Sequence, residues 1–179
     1  KRWESFPMLL ENIGEFEALA SFAQFNFNHP DYCIPRLRED ILIDMKNGKH
    51  PFMGISGVGN DFSISKGSIS IITGANMSGK STFLRTIAVN LILAKNGCRV
   101  PAEAFDFNPN SQLFTSMRTR DDIKGGVSYF QSEIIRLDKA IDLALSSAYV
   151  ILILDEVLKG TNSVDKLEGT KKLLYFFVE

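Results

Sequence analysis

Eight residues set the strongest limit on what this chain can become. Gly74-Ala75-Asn76-Met77-Ser78-Gly79-Lys80-Ser81 fits the pattern G-x-x-x-x-G-K-[ST] at every defined position. Ahead of it, Ser68-Ile69-Ser70-Ile71-Ile72-Thr73 predicts a strand, and the stretch from Lys80 to Lys95 predicts a helix. A strand that runs into a glycine turn and opens a helix is the context in which such a loop cradles phosphate. Glycines at 74 and 79 let the backbone turn tightly and aim several N–H groups inward. The start of the helix adds the positive end of its dipole. Lys80 is then placed for the β- and γ-phosphates of a nucleotide, and the Ser81 hydroxyl for Mg²⁺. The expected nucleotide-binding set is Gly74, Ala75, Asn76, Met77, Ser78, Gly79, Lys80, Ser81 and Thr82.

A nucleotide site also needs an acidic residue at the end of a neighbouring strand. Val150-Ile151-Leu152-Ile153-Leu154-Asp155-Glu156 provides one, in a run apolar enough to be buried on both faces as in a mostly parallel sheet. Asp155 is expected to hold Mg²⁺ together with Ser81, directly or through water. Glu156 is suited to orient and deprotonate an attacking water, a role worth typically about 10²–10⁴-fold in rate. Lys80 and Glu156 are therefore the expected catalytic residues, and the chain is expected to hydrolyse its nucleotide, the loop by itself leaving kinase, GTPase, motor and ABC-type ATPase open. This reading requires the loop and the acidic pair to face each other.

Composition narrows the alternatives. The chain has 179 residues, 45% apolar and 23% charged, enough to bury the core of about one domain. A net charge of −1 provides no global basic field for nucleic acid or anionic lipid. Cys33 and Cys98 make no disulfide framework, and with His29 and His50 distant from them no zinc cluster is indicated. No apolar run approaches the roughly 18 residues needed to cross a bilayer. A reducing, cytoplasmic setting is expected, and Lys1 in place of a start methionine suggests a piece of something longer.

Along the chain, Leu9, Ile13, Phe16 and Ala20 recur at helical spacing, and the Asn26-Phe27-Asn28-His29-Pro30 stretch ends that helix. Residues 1–40 read as a helical arm and 41–179 as an α/β domain. Ile41 to Met45 predicts a strand and Lys46-Asn47-Gly48-Lys49 a turn. Leu113 to Arg118 predicts another strand. Phe130, Ile134, Leu137, Ile141 and Leu145 mark one face of a long helix, and Val164 to Val178 a further one.

The blocks around the loop resemble the MutS family. Thr73 to Thr82 is similar to that family's TGPNMGGKST. The likeness extends through Ala18 to Ala23, Lys49-His50-Pro51-Phe52, Asn60-Asp61-Phe62, Leu113 to Arg118, Asp121-Asp122, Gly126 to Glu133, Leu154-Asp155-Glu156 and Gly160 to Asp165. The resemblance implies a P-loop NTPase of ABC-ATPase-like fold: a three-layer sandwich with a mostly parallel sheet, preceded by the end of a helical lever and stopping before the family's histidine loop. It implies the ATPase of a mismatch-repair protein, whose ATP turnover controls a DNA clamp built from other domains. It also implies a homodimer with sites completed in trans.

Gly125 to Glu133 resembles the family's signature G-x-S-T-F-x-x-E, which gives Ser128 the role of touching the partner's γ-phosphate. Ser128 also suits a helix N-cap, and the two roles are compatible. Asn76 resembles the residue that senses the γ-phosphate, and Thr161, Asn162, Ser163 and Asp165 match the loop that meets the opposite subunit. A residue between Phe52 and Phe62 is expected against the adenine, without a choice among them. Ala75, Ser78, Tyr129, Asn162 and the pair Leu158-Lys159 depart from the usual pattern, the last replacing glycine-arginine. Those departures keep open a paralogue acting in recombination control or at a membrane. A transporter or chromosome-maintenance ABC subunit would carry an LSGGQ-type signature, which is absent, and a non-catalytic interaction module is the remaining rival.

Overall fold

The computed structural model describes residues 6–54, 57–75, 77–117 and 129–178. Helix α1 spans Phe6–Asn28, followed by the short strand β1 (Arg36–Leu37), β2 (Ile43–Gly48), a single 3₁₀ turn at Pro51–Met53 and β3 (Asn60–Ile64). Next come α2 (Lys80–Lys95), β4 (Ala104–Phe107), β5 (Gln112–Ser116), α3 (Tyr129–Ser146), β6 (Val150–Leu154) and α4 (Ser163–Val178). The chain is α/β, and among the described residues its strands form two sheets.

The first sheet has the order β1-β4-β2-β3, with β2 antiparallel to both β3 and β4, and β1 parallel to β4. The second is a parallel pair, β5 with β6, in register from Gln112 opposite Val150 to Ser116 opposite Leu154. The expectation of one mostly parallel sheet is corrected here, because β3 and β4 are strands that the sequence hides. Asn60–Ile64 offers only Phe62 and Ile64 as apolar residues, and Ala104–Phe107 is four residues long with a charge inside it. That charge, Asp106, is buried but satisfied: Arg36 Nε lies 2.8 Å and Arg38 3.5 Å from its carboxylate.

A second correction concerns residues 46–49. They continue β2 through Gly48 instead of turning after Met45, with a register shift between Met45 and Gly48. Asn47 adopts φ +48°, and its backbone N–H donates to Asp61 Oδ1 at 2.8 Å. Asparagine tolerates that left-handed geometry, so the Asn-Gly pair makes a bulge here, not a hairpin turn. The Asp61 carboxyl is held below its ordinary range by this backbone donor first and by Lys46 second.

The third correction is at Ser68–Thr73, which pairs with no strand among the described residues. Ser65–Ser68 closes a turn around Lys66-Gly67, with Ser68 Oγ donating to the Ser65 carbonyl at 2.6 Å. Beyond it Ile69 and Ile71 stand 40% and 71% exposed. Strand propensity favours extension but provides no ladder partner, and the β6 ladder described here is made with β5.

The core is one cluster that unites both sheets on α2. Ile87, Ala88, Leu91 and Ala94 of α2 pack with Ile43, Met45, Phe105 and Phe107 of the first sheet and with Ile151 and Ile153 of β6. The helix stops where expected: Gly97, at φ +72°, returns its N–H to the Ala94 carbonyl. Helix α1 contrasts with this. It buries no residue; near its end the Asn26 side chain donates to Gly97 O and accepts from Arg99 N at 2.7 Å.

Candidate functional site

The loop between Thr73 and α2 closes on itself. Ser78 N–H donates to the Ala75 carbonyl at 3.2 Å, and Lys80 Nζ reaches back to the carbonyls of Gly74 and Ala75, 2.6 Å from each. Gly79 caps α2 at φ +91°, a conformation that strains any residue with a Cβ. Gly79 brings no side-chain cap, so among the described residues the first N–H groups of α2 have no capping side chain. At Gly74 an added Cβ would lie 2.8 Å from Ser78 Oγ, so the two ends of the loop meet at close range. Met77, at φ +65°, projects fully into solvent. Thr82 is half-buried on the first turn of α2. Asn76 lies outside the described residues.

Across from this loop, β6 ends at Leu154, and the N–H of the next residue, Asp155, donates to the Ser116 carbonyl of β5 at 2.9 Å. That bond extends the parallel ladder by one step and aims the following residues past the sheet's carboxyl end. Ser81 Oγ donates to Asp155 Oδ2 at 2.6 Å in a part-buried contact. Two residues 74 positions apart are thereby joined. The pair presents hard oxygen donors, the type Mg²⁺ selects. Among the described residues no group of three or more His, Cys, Asp or Glu is gathered for a metal. An ion here would thus need phosphate oxygens and water to complete its shell.

The turn after Asp155 departs from ordinary backbone geometry twice, with Glu156 at φ +54° and Leu158 at φ +56°. Strain of this kind persists where surroundings over-determine it. Three contacts do so. Glu156 pairs with Lys159. The Glu133 carboxylate of α3 accepts the backbone N–H groups of Lys159 (3.1 Å) and Gly160 (3.0 Å) through its two oxygens. Leu158, 8% exposed, lies against α4 where Gly169 leaves room: a Cβ at 169 would overlap Leu158 Cδ1. The departure at 158–159 is accommodated in this way, the leucine finding a notch and the lysine a carboxylate.

Gly160 itself sits on α3, where a Cβ would come within 3.0 Å of Phe130 Cα. Beyond it Asn162 Oδ1 accepts from Val164 N (3.0 Å) and Asp165 N (2.9 Å), capping α4, while its amide donates to Asp165 Oδ2 at 2.7 Å. Ser128 lies outside the described residues. Sequence reasoning placed Glu133 only at the end of a resembling block and assigned it no contact. Its signal was weak, an acidic residue one turn into a helix, and only the fold brings it to residue 160.

These elements define an α/β domain that sets a glycine-rich loop beside a strand-end carboxylate pair. Residues 70–173 match the family described as MutS domain V. The chain is 38% identical over 86% of its length to a protein named DNA mismatch repair protein MutS from Haloquadratum walsbyi, covering 16% of that protein. It is 34% identical over 98% of its length to the protein of that name from Listeria monocytogenes, covering 21% of it. With DNA mismatch repair protein MutS 2 of Halobacterium salinarum the identity is 39%, over 92% of this chain and 19% of the relative. This chain belongs to the MutS family. It spans about a fifth of the length of these relatives. Among the described residues no helix is long and apolar enough to cross a membrane.

Proposed function

We propose that this domain binds and hydrolyses ATP within a MutS-type DNA mismatch repair protein, and that turnover controls a DNA clamp formed elsewhere in that protein. The observation that carries the reading is the Ser81–Asp155 hydrogen bond, which joins the first turn of the phosphate-loop helix to the end of β6. Gly74 to Thr82 wrap the phosphates, Asn76 being the residue nearest in kind to a γ-phosphate sensor. The Lys80 ammonium exchanges its two carbonyl partners for β- and γ-phosphate oxygens. Ser81 and Asp155 hold Mg²⁺, which when bound neutralises charge on the phosphate oxygens.

Glu156 orients a water and takes its proton as the water oxygen bonds to the γ-phosphorus. The bond from that phosphorus to the β–γ bridging oxygen breaks, its electrons leave with ADP, and inorganic phosphate is the second product. Two copies complete each other's sites, through Ser128 and the exposed 160–165 loop. The mismatch-repair names of the relatives favour this reading over a role in recombination control or at a membrane.

In the full-length protein Glu156→Gln is expected to bind ATP with unchanged affinity and to hydrolyse it at least about 100-fold more slowly, within the range of general-base catalysis. Equilibrium binding beside a phosphate-release assay checks both halves. Retained turnover removes Glu156 from the role.

A further inference from the structure

The turn that bears Glu156 is held from α3 by a side chain that grips the backbone of residues 159 and 160. Glu133 is the carboxylate concerned. One oxygen accepts Lys159 N–H at 3.1 Å and the other Gly160 N–H at 3.0 Å. Charge-assisted bonds of this kind are about twice as strong as neutral ones, and a two-oxygen grip fixes orientation as well as distance. Gly160 brings the turn close enough for that grip, since its missing Cβ leaves the space occupied by the Phe130 backbone at 3.0–3.1 Å. Lys159, whose N–H is gripped, is the residue whose ammonium pairs with Glu156. Glu156 and Leu158 both hold left-handed φ angles, so the turn does not keep this shape by its own preference.

We propose that Glu133 is a positioning residue for Glu156, and that through it α3 sets whether the Glu156 carboxylate stands in register with the phosphate loop. The proposal deepens the hydrolytic reading of this site and rests on it. A shift of α3 relative to β6 would move the 159–160 amides with it. The hydrolytic carboxylate would follow, while Ser81, Asp155 and Lys80, held by contacts of their own, would stay. The chemical step is therefore sensitive to α3, and ATP binding is not.

The test uses the full-length protein and two variants. Glu133→Gln leaves one acceptor oxygen for two N–H donors. It is expected to slow single-turnover hydrolysis about tenfold or more while the Kd for ATP stays within about threefold, the signature of a contact that matters in the transition state and not in binding. Amide exchange at 159 and 160 should quicken, with the β2 amides unchanged. An unchanged rate overturns the assignment, as does a Kd that rises in step with the rate loss. If Glu133→Gln loses protection in β2 and so fails to fold, Gly160→Ala carries the test by the same criteria, since its Cβ pushes the turn off α3 with the carboxylate intact. Wild-type protein without ATP turnover overturns the hydrolytic reading and this assignment together. Wild-type turnover that the variant matches overturns the assignment alone.

Discussion

The two halves of the candidate site are built in opposite ways. Among the described residues, 68–75 and 77–80 hold themselves: a lead-in that joins no ladder, with Ile69 and Ile71 exposed, one turn between Ala75 and Ser78, and Lys80 folded onto its own loop's carbonyls. The turn at 155–160 is held by others, namely Ser81 of α2, Glu133 of α3, the Gly169 notch of α4 and the end of β5. The first half has contacts that a polyanion can replace one for one. The second carries strained backbone that only its neighbours maintain. On the proposed reading the first half binds and the second does chemistry, and the difference in support fits those needs: exchangeable partners on one side, fixed orientation on the other.

The contrast makes its largest prediction at Lys80. Lys80→Ala removes the ammonium and leaves only two carbonyls that solvent can satisfy, so the folded state should lose little. ATP affinity should fall about 100-fold or more, the equivalent of roughly 2.8 kcal/mol at 1.4 kcal/mol per decade. Titration calorimetry with Mg–ATP, beside a thermal melt, checks both. A large loss of melting temperature with affinity retained would reverse the assignment of the two halves.

The smaller effect belongs to the held half. Gly169→Ala in a helix should stabilise by about 0.5–1 kcal/mol through lower backbone entropy in the unfolded chain. Here that gain should vanish or turn negative, because the new Cβ meets Leu158. In a Leu158→Gly background the clash is gone, and glycine also suits φ +56° at 158, so the full gain from Gly169→Ala should return. Denaturant unfolding of the wild type and the three variants measures the coupling, expected at about 1 kcal/mol. Equal effects of Gly169→Ala in both backgrounds would show that Leu158 is not seated in that notch.

Legibility in the sequence followed the same division. Elements dictated by local pattern were readable: α2 from Lys80 to Lys95, β6 from Val150 to Leu154, and the glycine stop at 97 all lie where periodicity and capping put them. Those that depend on a partner were not. Ser68–Thr73 has the alternation of a strand and finds no ladder among the described residues, whereas Ala104–Phe107 has little strand signal and is a strand because β1 and β2 flank it. The Asn47-Gly48 pair reads locally as a turn, and Asp61 across the sheet makes it a bulge. At the site, the loop residues and the acidic pair could be named from spacing alone, and their meeting through Ser81 and Asp155 is a contact in the fold. Glu133 could be placed in a resembling block but given no contact, and Gly169 could not be named, because each matters only through a residue on another element.

Amide hydrogen exchange on the full-length protein, with and without Mg–ATP, tests the central claim most directly. If one triphosphate is enclosed by both halves, the 74–81 amides and the 155–160 amides gain protection together, at one ATP concentration dependence. Protection of the first segment alone, or of neither while ATP is bound, would contradict the account.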